Sequence, residues 1–163
     1  MSTKLKFMFD ECLGEPMMVN LKALVPGDCH FEHVVKHYKS GTKDNVWISQ
    51  LAKEGGWVVI SGDRAKIGRQ GGKLPQLCEQ HHITHILLSK TFHDKKNHEK
   101  LAALALLWPE ICQVFSEPPG TRFLLRYKKL TKRGGLTLVL QKYEKPTDPG
   151  PNPVDAGTTP AES

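Results

Sequence analysis

The stretch GGWVVISGDR, residues 55–64, decides the fold. Two glycines end whatever precedes them, Trp57-Val58-Val59-Ile60 follow without a polar break, and Ser61-Gly62-Asp63-Arg64 closes the run. A short continuous apolar run, rich in aromatic and β-branched residues and bounded by glycine, reads as a strand buried on both faces. Such strands belong to parallel sheets covered by helices on either side.

The flanks agree. Upstream, Trp47, Ile48, Leu51 and Ala52 recur at helical spacing and stop at Gly55-Gly56. Downstream, a helix is expected from about Leu74 to His81, then a strand from Ile83 to Leu88. Toward the N-terminus, Leu5 to Phe9 is a short apolar strand that ends abruptly in Asp10-Glu11. Met17, Met18, Leu21, Leu24 and Val25 then make a helix up to the Pro26-Gly27 breaker, and Cys29 to Val35 a second strand. Toward the C-terminus, Asn97 to Trp108 is helical and Pro109 starts a further short helix to about Ser116. Thr121 to Tyr127 and Leu136 to Gln141 read as strands joined by a basic turn containing Gly134-Gly135. Strands alternating with helices imply βαβ units. The expected class is α/β, three layers deep, with a mostly parallel central sheet and a C-terminal edge hairpin.

The 163 residues suit one domain, residues 1–143, followed by a tail, residues 144–163, in which five prolines with glycine, threonine and acids favour disorder. The formal charge is +6; the tail carries a net −3, which leaves +9 on the body. A body this basic suits a polyanionic partner, although a solvated lysine-rich surface has the same composition. No apolar run approaches the ~20 residues of a membrane span and MSTKLKFMF has no secretory pattern, so a cytoplasmic protein is expected. Cys12, Cys29, Cys78 and Cys112 form no CxxC pair and are expected as reduced, partly buried thiols.

In open parallel sheets ligands bind at the carboxyl ends of strands, near the point where strand order reverses. Asp10 follows the first strand directly, Asp63 follows Ile60 closely, and Asp44 stands at the start of a helix packed on the same sheet. Three such carboxylates can converge, and converging carboxylates repel unless a cation neutralises them. Oxygen ligands favour Mg2+ or Mn2+. One or two such ions would lower the pKa of a bound water and stabilise a phosphodiester under in-line attack. Each aspartate also has a local explanation: Asp10 and Asp44 as helix N-caps, with Thr42 competing for the second, and Asp63 as a turn residue.

The run Phe9-Asp10, then Lys43-Asp44-Asn45-Val46-Trp47, then Glu54 through Arg64, resembles the PIN-like domains related to VapC-type toxins. Trp108-Pro109-Glu110-Ile111 and Arg122-Phe123-Leu124 resemble the end of that domain, so the likeness extends over about residues 5 to 127. It implies a PIN-type α/β/α fold and a metal-dependent endoribonuclease acting on RNA. Asp10, Asp44 and Asp63 would hold Mg2+ or Mn2+, with Glu11 as fourth acid. A toxin paired with an antitoxin protein and a homodimer are further implications of the likeness. The chain departs from the family pattern in three places. Asp10-Glu11-Cys12-Leu13-Gly14 replaces Asp-x-Asn-Leu-Pro, Asn45 and Val46 stand where further acids are usual, and Ser61-Gly62 replaces a threonine.

Arg64, Lys66, Arg69 and Lys73, in and beside a glycine-rich stretch, could hold substrate phosphates or simply be solvated; the stretch lacks the P-loop order. Arg126, Lys128, Lys129, Lys132 and Arg133 form a second basic region that could track RNA or guard a sheet edge. His30, His33 and His37 do not share a helical face, and neither they nor His81, His82 and His85 have zinc-ligand spacing. His93 and Asp94 fall near the expected site without a motif, and Ser89 has no nucleophile context. A receiver-like protein would leave Asp44 idle, and a haloacid-dehalogenase site needs an acid where Cys12 stands. A degenerate, non-catalytic PIN-like module is the remaining alternative.

Overall fold

In the computed structural model, which describes residues 4–62, 73–129 and 136–143, the described strands make one sheet in the order β2-β1-β3-β4-β5-β6. The strands are β1 (Leu5–Phe9), β2 (Cys29–His33), β3 (Trp57–Gly62), β4 (Thr84–Leu88), β5 (Arg122–Lys129) and β6 (Leu136–Lys142). All neighbours run parallel except β5 and β6, which form the expected antiparallel edge pair. The helices are α1 (Glu15–Leu24), α2 (Val34–Tyr38), α3 (Asp44–Glu54), α4 (Lys73–Gln80), α5 (Lys90–His93), α6 (Asn97–Leu106) and α7 (Trp108–Cys112). Two 3-10 turns, Glu11–Leu13 and Gln113–Ser116, follow β1 and α7.

Strand alternation sorts the apolar residues into two cores. Phe7, Phe9, Val58, Ile60, Ile86 and Leu88 pack with Leu21 of α1, Leu104 of α6 and Trp108 and Ile111 of α7. Met8, Trp57 and Val59 point the other way and pack with Trp47, Ile48 and Leu51 of α3 and Leu74 and Cys78 of α4. The unbroken run Trp57 to Ile60 is apolar because alternate residues feed opposite cores. Each large side chain taken fully from water contributes ~1.5–3 kcal/mol before conformational entropy is set against it.

The elements stop where their sequences oblige them to. The Val25 N–H reaches the Leu21 carbonyl, and Pro26, with no N–H, ends α1. Gly55 closes α3 at φ +70°, a left-handed backbone that suits glycine.

Three differences from the sequence reading lie beside the candidate site. Helix α2 starts at Val34, so the second strand ends at His33 instead of continuing to Val35. The His33 side chain accepts the Val35 N–H and opens that helix. Strand β3 runs on through Ser61 and Gly62, which pair with Leu87 and Leu88 of β4. Helix α5 was not anticipated: Ser89 caps it, its hydroxyl accepting the Phe92 N–H. The tail, the glycine-rich stretch and the basic turn lie outside the described residues. No helix among the described residues is long and apolar enough to cross a membrane.

Candidate active site at the carboxyl ends of the strands

From β1 the chain goes outward to β2, then crosses back to β3, so strand order reverses between β1 and β3. The crevice beyond their carboxyl ends is where this architecture places ligands. Asp10 stands at it: its backbone N–H donates to the Ile60 carbonyl at 3.0 Å and carries the β1–β3 ladder to its last rung. Its carboxylate makes no capping hydrogen bond to the turn that follows, so the N-cap explanation does not account for this aspartate.

That turn folds against the end of β3. The Gly62 N–H donates to Cys12 Sγ at 2.9 Å. Glu11 is exposed and its Oε1 accepts the Gly41 N–H at 3.5 Å, which links the turn to the loop before α3. Asp63, the next residue after β3, lies outside the described residues, as do Arg64, Lys66 and Arg69; Lys73 opens α4.

Asp44 occupies the first turn of α3, one residue past the N-cap position, which is Lys43. Thr42 donates to the carbonyls of Tyr38 and Lys39 and so finishes α2 instead of starting α3. Neither capping explanation therefore holds at this helix. The Asp44 Oδ1 accepts the indole N–H of the buried Trp47 at 3.0 Å. Asp44→Asn keeps that acceptor and is expected to change stability by less than ~1 kcal/mol, whereas Asp44→Ala strands the indole and costs ~1–3 kcal/mol. Equal unfolding midpoints for the two variants in urea would dismiss the bond as a stabilising contact. Asp44 also borders a groove of about 820 Å³, with Lys43 and Asn45 on one side and Gln76, Leu77 and Gln80 of α4 on the other.

Three further residues, His33, His93 and Lys100, lie near the strand ends or beside them, and of these the sequence pointed only to His93. His33 ends β2, is 3% exposed, and pairs in register with Phe9. Burial pulls its imidazole below the ordinary range, against the opposing pull of the Glu15, Asp10 and Glu11 charges. His93 ends α5, and its ring lies on Gly62: a Cβ built there would sit 2.3 Å from His93 Nδ1. Lys100 of α6 is 7% exposed and its ammonium donates to the His93 carbonyl at 3.2 Å. The order of elements alone brings His93 to this edge; His33 and Lys100 carry no motif that marks them for the site.

Because the imidazole fills the space over Gly62, Gly62→Ala forces it to move. The expected cost is ~1–3 kcal/mol, read as a lower unfolding midpoint. An unchanged midpoint would show that the ring yields freely.

Among the described residues no three His, Cys, Asp or Glu side chains form a ready-made metal site; Asp63 is not among those residues. The basic region on the edge pair is represented by Arg126, whose guanidinium donates to Gln141 Oε1 at 3.1 and 3.2 Å, and by Lys128.

A family model described as PIN like domain matches residues 5–70. No curated protein and no solved structure matches the chain. The matched segment contains β1, α1, β2, α2, α3 and β3, and with them Asp10, Asp44 and Asp63. This segment, set in a mostly parallel α/β sheet, is what makes the chain similar to the PIN-like domain family.

Proposed function

We propose that the protein is a metal-dependent endoribonuclease whose site is the crevice beyond β1 and β3. The observation that carries this reading is Asp10, held at the strand-order reversal by the Ile60 carbonyl, inside a segment matched by the PIN-like family. Asp10, Asp44 and Asp63 would hold Mg2+ or Mn2+, because carboxylate oxygens are the ligands such ions prefer. Glu11 would act as a ligand or orienter. When bound, the ion supplies activation of water and neutralisation of charge on the phosphate. The chain's own residues supply the rest. The ladder bond to the Ile60 carbonyl would fix where the Asp10 carboxylate stands, and Arg64, Lys66, Arg69 and Lys73 would bind substrate phosphates.

RNA is the proposed substrate, and the net charge of +6 favours such a polyanion. A cytoplasmic toxin, restrained by an antitoxin protein and acting as a homodimer, is the fuller form of the proposal. A second reading, a PIN-like module that binds RNA or protein without cleaving, has one observation in its favour: the Asp44 carboxylate already serves Trp47. The test is cleavage of structured and single-stranded RNAs in Mg2+, Mn2+ or EDTA, with Asp63→Asn beside the wild type. Metal-dependent cleavage that the substitution removes supports the nuclease. Two equally inert proteins that both bind RNA or a partner would replace it with the module.

A further inference from the structure

At the opposite end of the sheet from the acids, two cysteines distant in sequence meet. Cys29 is the first residue of β2 and Cys112 the last of α7, and their sulfurs lie 4.0 Å apart in thiol–thiol contact. Cys29 is 9% exposed and belongs to the core that contains Phe31 and Trp108, while Cys112 packs against that core and is half-buried. Both are free thiols. A disulfide needs ~2.05 Å between sulfurs, so closure asks for a displacement of about 2 Å. A side-chain rotation at the half-buried Cys112 can supply much of it.

We propose that Cys29 and Cys112 are a convertible dithiol, closed to an intramolecular disulfide by exchange with a low-molecular-weight disulfide. The thiolate of Cys112, the more accessible sulfur, attacks the small disulfide, breaks its S–S bond and releases one thiol, which takes up a proton. Cys29, as thiolate, then attacks the Cys112 sulfur of the mixed disulfide and releases the second thiol. The protein loses two protons and two electrons, and the small disulfide gains them as two thiols. Burial, with the neighbouring Cys29, pushes the Cys112 thiol up to about 12, so little thiolate exists at neutral pH and conversion is slow.

The closed bridge joins residues 83 apart, and cross-linking a loop of that length restricts the unfolded chain strongly. It ties an edge strand to the helix that covers it. Its place at the start of β2 leaves Asp10, at the end of β1, untouched, so the proposal stands whether or not the protein is a nuclease.

The full chain is incubated with oxidised glutathione, then denatured and alkylated, and thiols are counted by mass. Two of the four thiols lost, one Cys29–Cys112 cross-linked peptide, and a midpoint raised by on the order of 10 °C and restored by reductant are expected. Cys112→Ser, at the half-buried position, should abolish all three effects. If Cys29→Ser does not fold, the thiol count and peptide map of the wild type still decide. Four thiols remaining, glutathione attached to Cys112 without a cross-link, or a cross-link through Cys12 or Cys78 would each overturn the assignment.

Discussion

For the proposed nuclease, Asp10→Asn is expected to lower RNA cleavage in Mg2+ by on the order of 10²–10³-fold and to leave the fold as stable as before or slightly more so. The loss follows from the charge. Asn keeps the shape and one carbonyl oxygen, and the backbone N–H that reaches the Ile60 carbonyl is unaffected. What disappears is the negative charge that a hard divalent ion requires. The gain in stability has the same origin. In the proposed site Asp10 would stand with Asp44 and Asp63, and acids so placed repel when no cation is present, so removing one is expected to relieve the folded state by up to ~1 kcal/mol in EDTA. A structural aspartate would behave in the opposite way, with stability falling and any activity falling only as far as the folded fraction. Cleavage rates and urea midpoints measured on the same preparations separate the two. Unimpaired cleavage by Asp10→Asn would remove this aspartate from the site and leave the crevice without its best-placed acid.

The place of Asp10 at the end of β1 was legible because a strand that ends in an acid needs only an apolar run and a breaker to be read. The rest of the site depends on encounters that no spacing encodes. His93 reaches Gly62 through a four-residue helix too short to produce a periodic stripe, and Lys100 turns inward from a helix whose other charged residue, Glu99, is exposed. The Asp44–Trp47 bond is different: a separation of three residues on a helix face is readable, and the competing metal and capping explanations obscured it. Among the elements, the long ones followed their hydrophobic pattern. The short ones, α2 and α5, depend on single side-chain bonds, from His33 and Ser89, that open a turn of helix. Ser61 and Gly62 looked like the turn after β3 because they are small and polar. They continue the strand because β4 offers them backbone partners, and because Ser61 finds a buried partner of its own.

That partner, His85, gives the second large effect: acid destabilises the protein through one buried imidazole. His85, the second residue of β4, is 1% exposed, and its Nε2 lies 2.7 Å from Ser61 Oγ. Its Nδ1 is buried without a hydrogen-bond partner among the described residues. A bare lone pair is cheaper to bury than a bare N–H, so the neutral tautomer carries its proton on Nε2 and donates to Ser61. Protonation would place an unpaired cation in the core, and Arg122, the register neighbour on β5, would repel it. Burial first, and Arg122 second, bring the pKa down to about 3 from an ordinary 6.5. With the folded pKa below the unfolded one, the unfolded chain binds the extra proton as pH falls below 6.5. Stability is therefore complete above 6.5 and drops by ~1.4 kcal/mol per pH unit from there toward 3, or about 2 kcal/mol between pH 7 and pH 5. His33, also lowered by burial, steepens the same limb. In His85→Gln, which keeps a polar partner for Ser61, the loss between pH 7 and pH 5 should shrink by about that 2 kcal/mol, measured by urea unfolding at each pH. If the variant does not fold, the ring resonances of His85 in the wild type decide: they should stay unchanged down to about pH 4. An imidazole titrating near 6.5 would mean that solvent reaches His85 on β4 and that the Ser61 bond does not seal it.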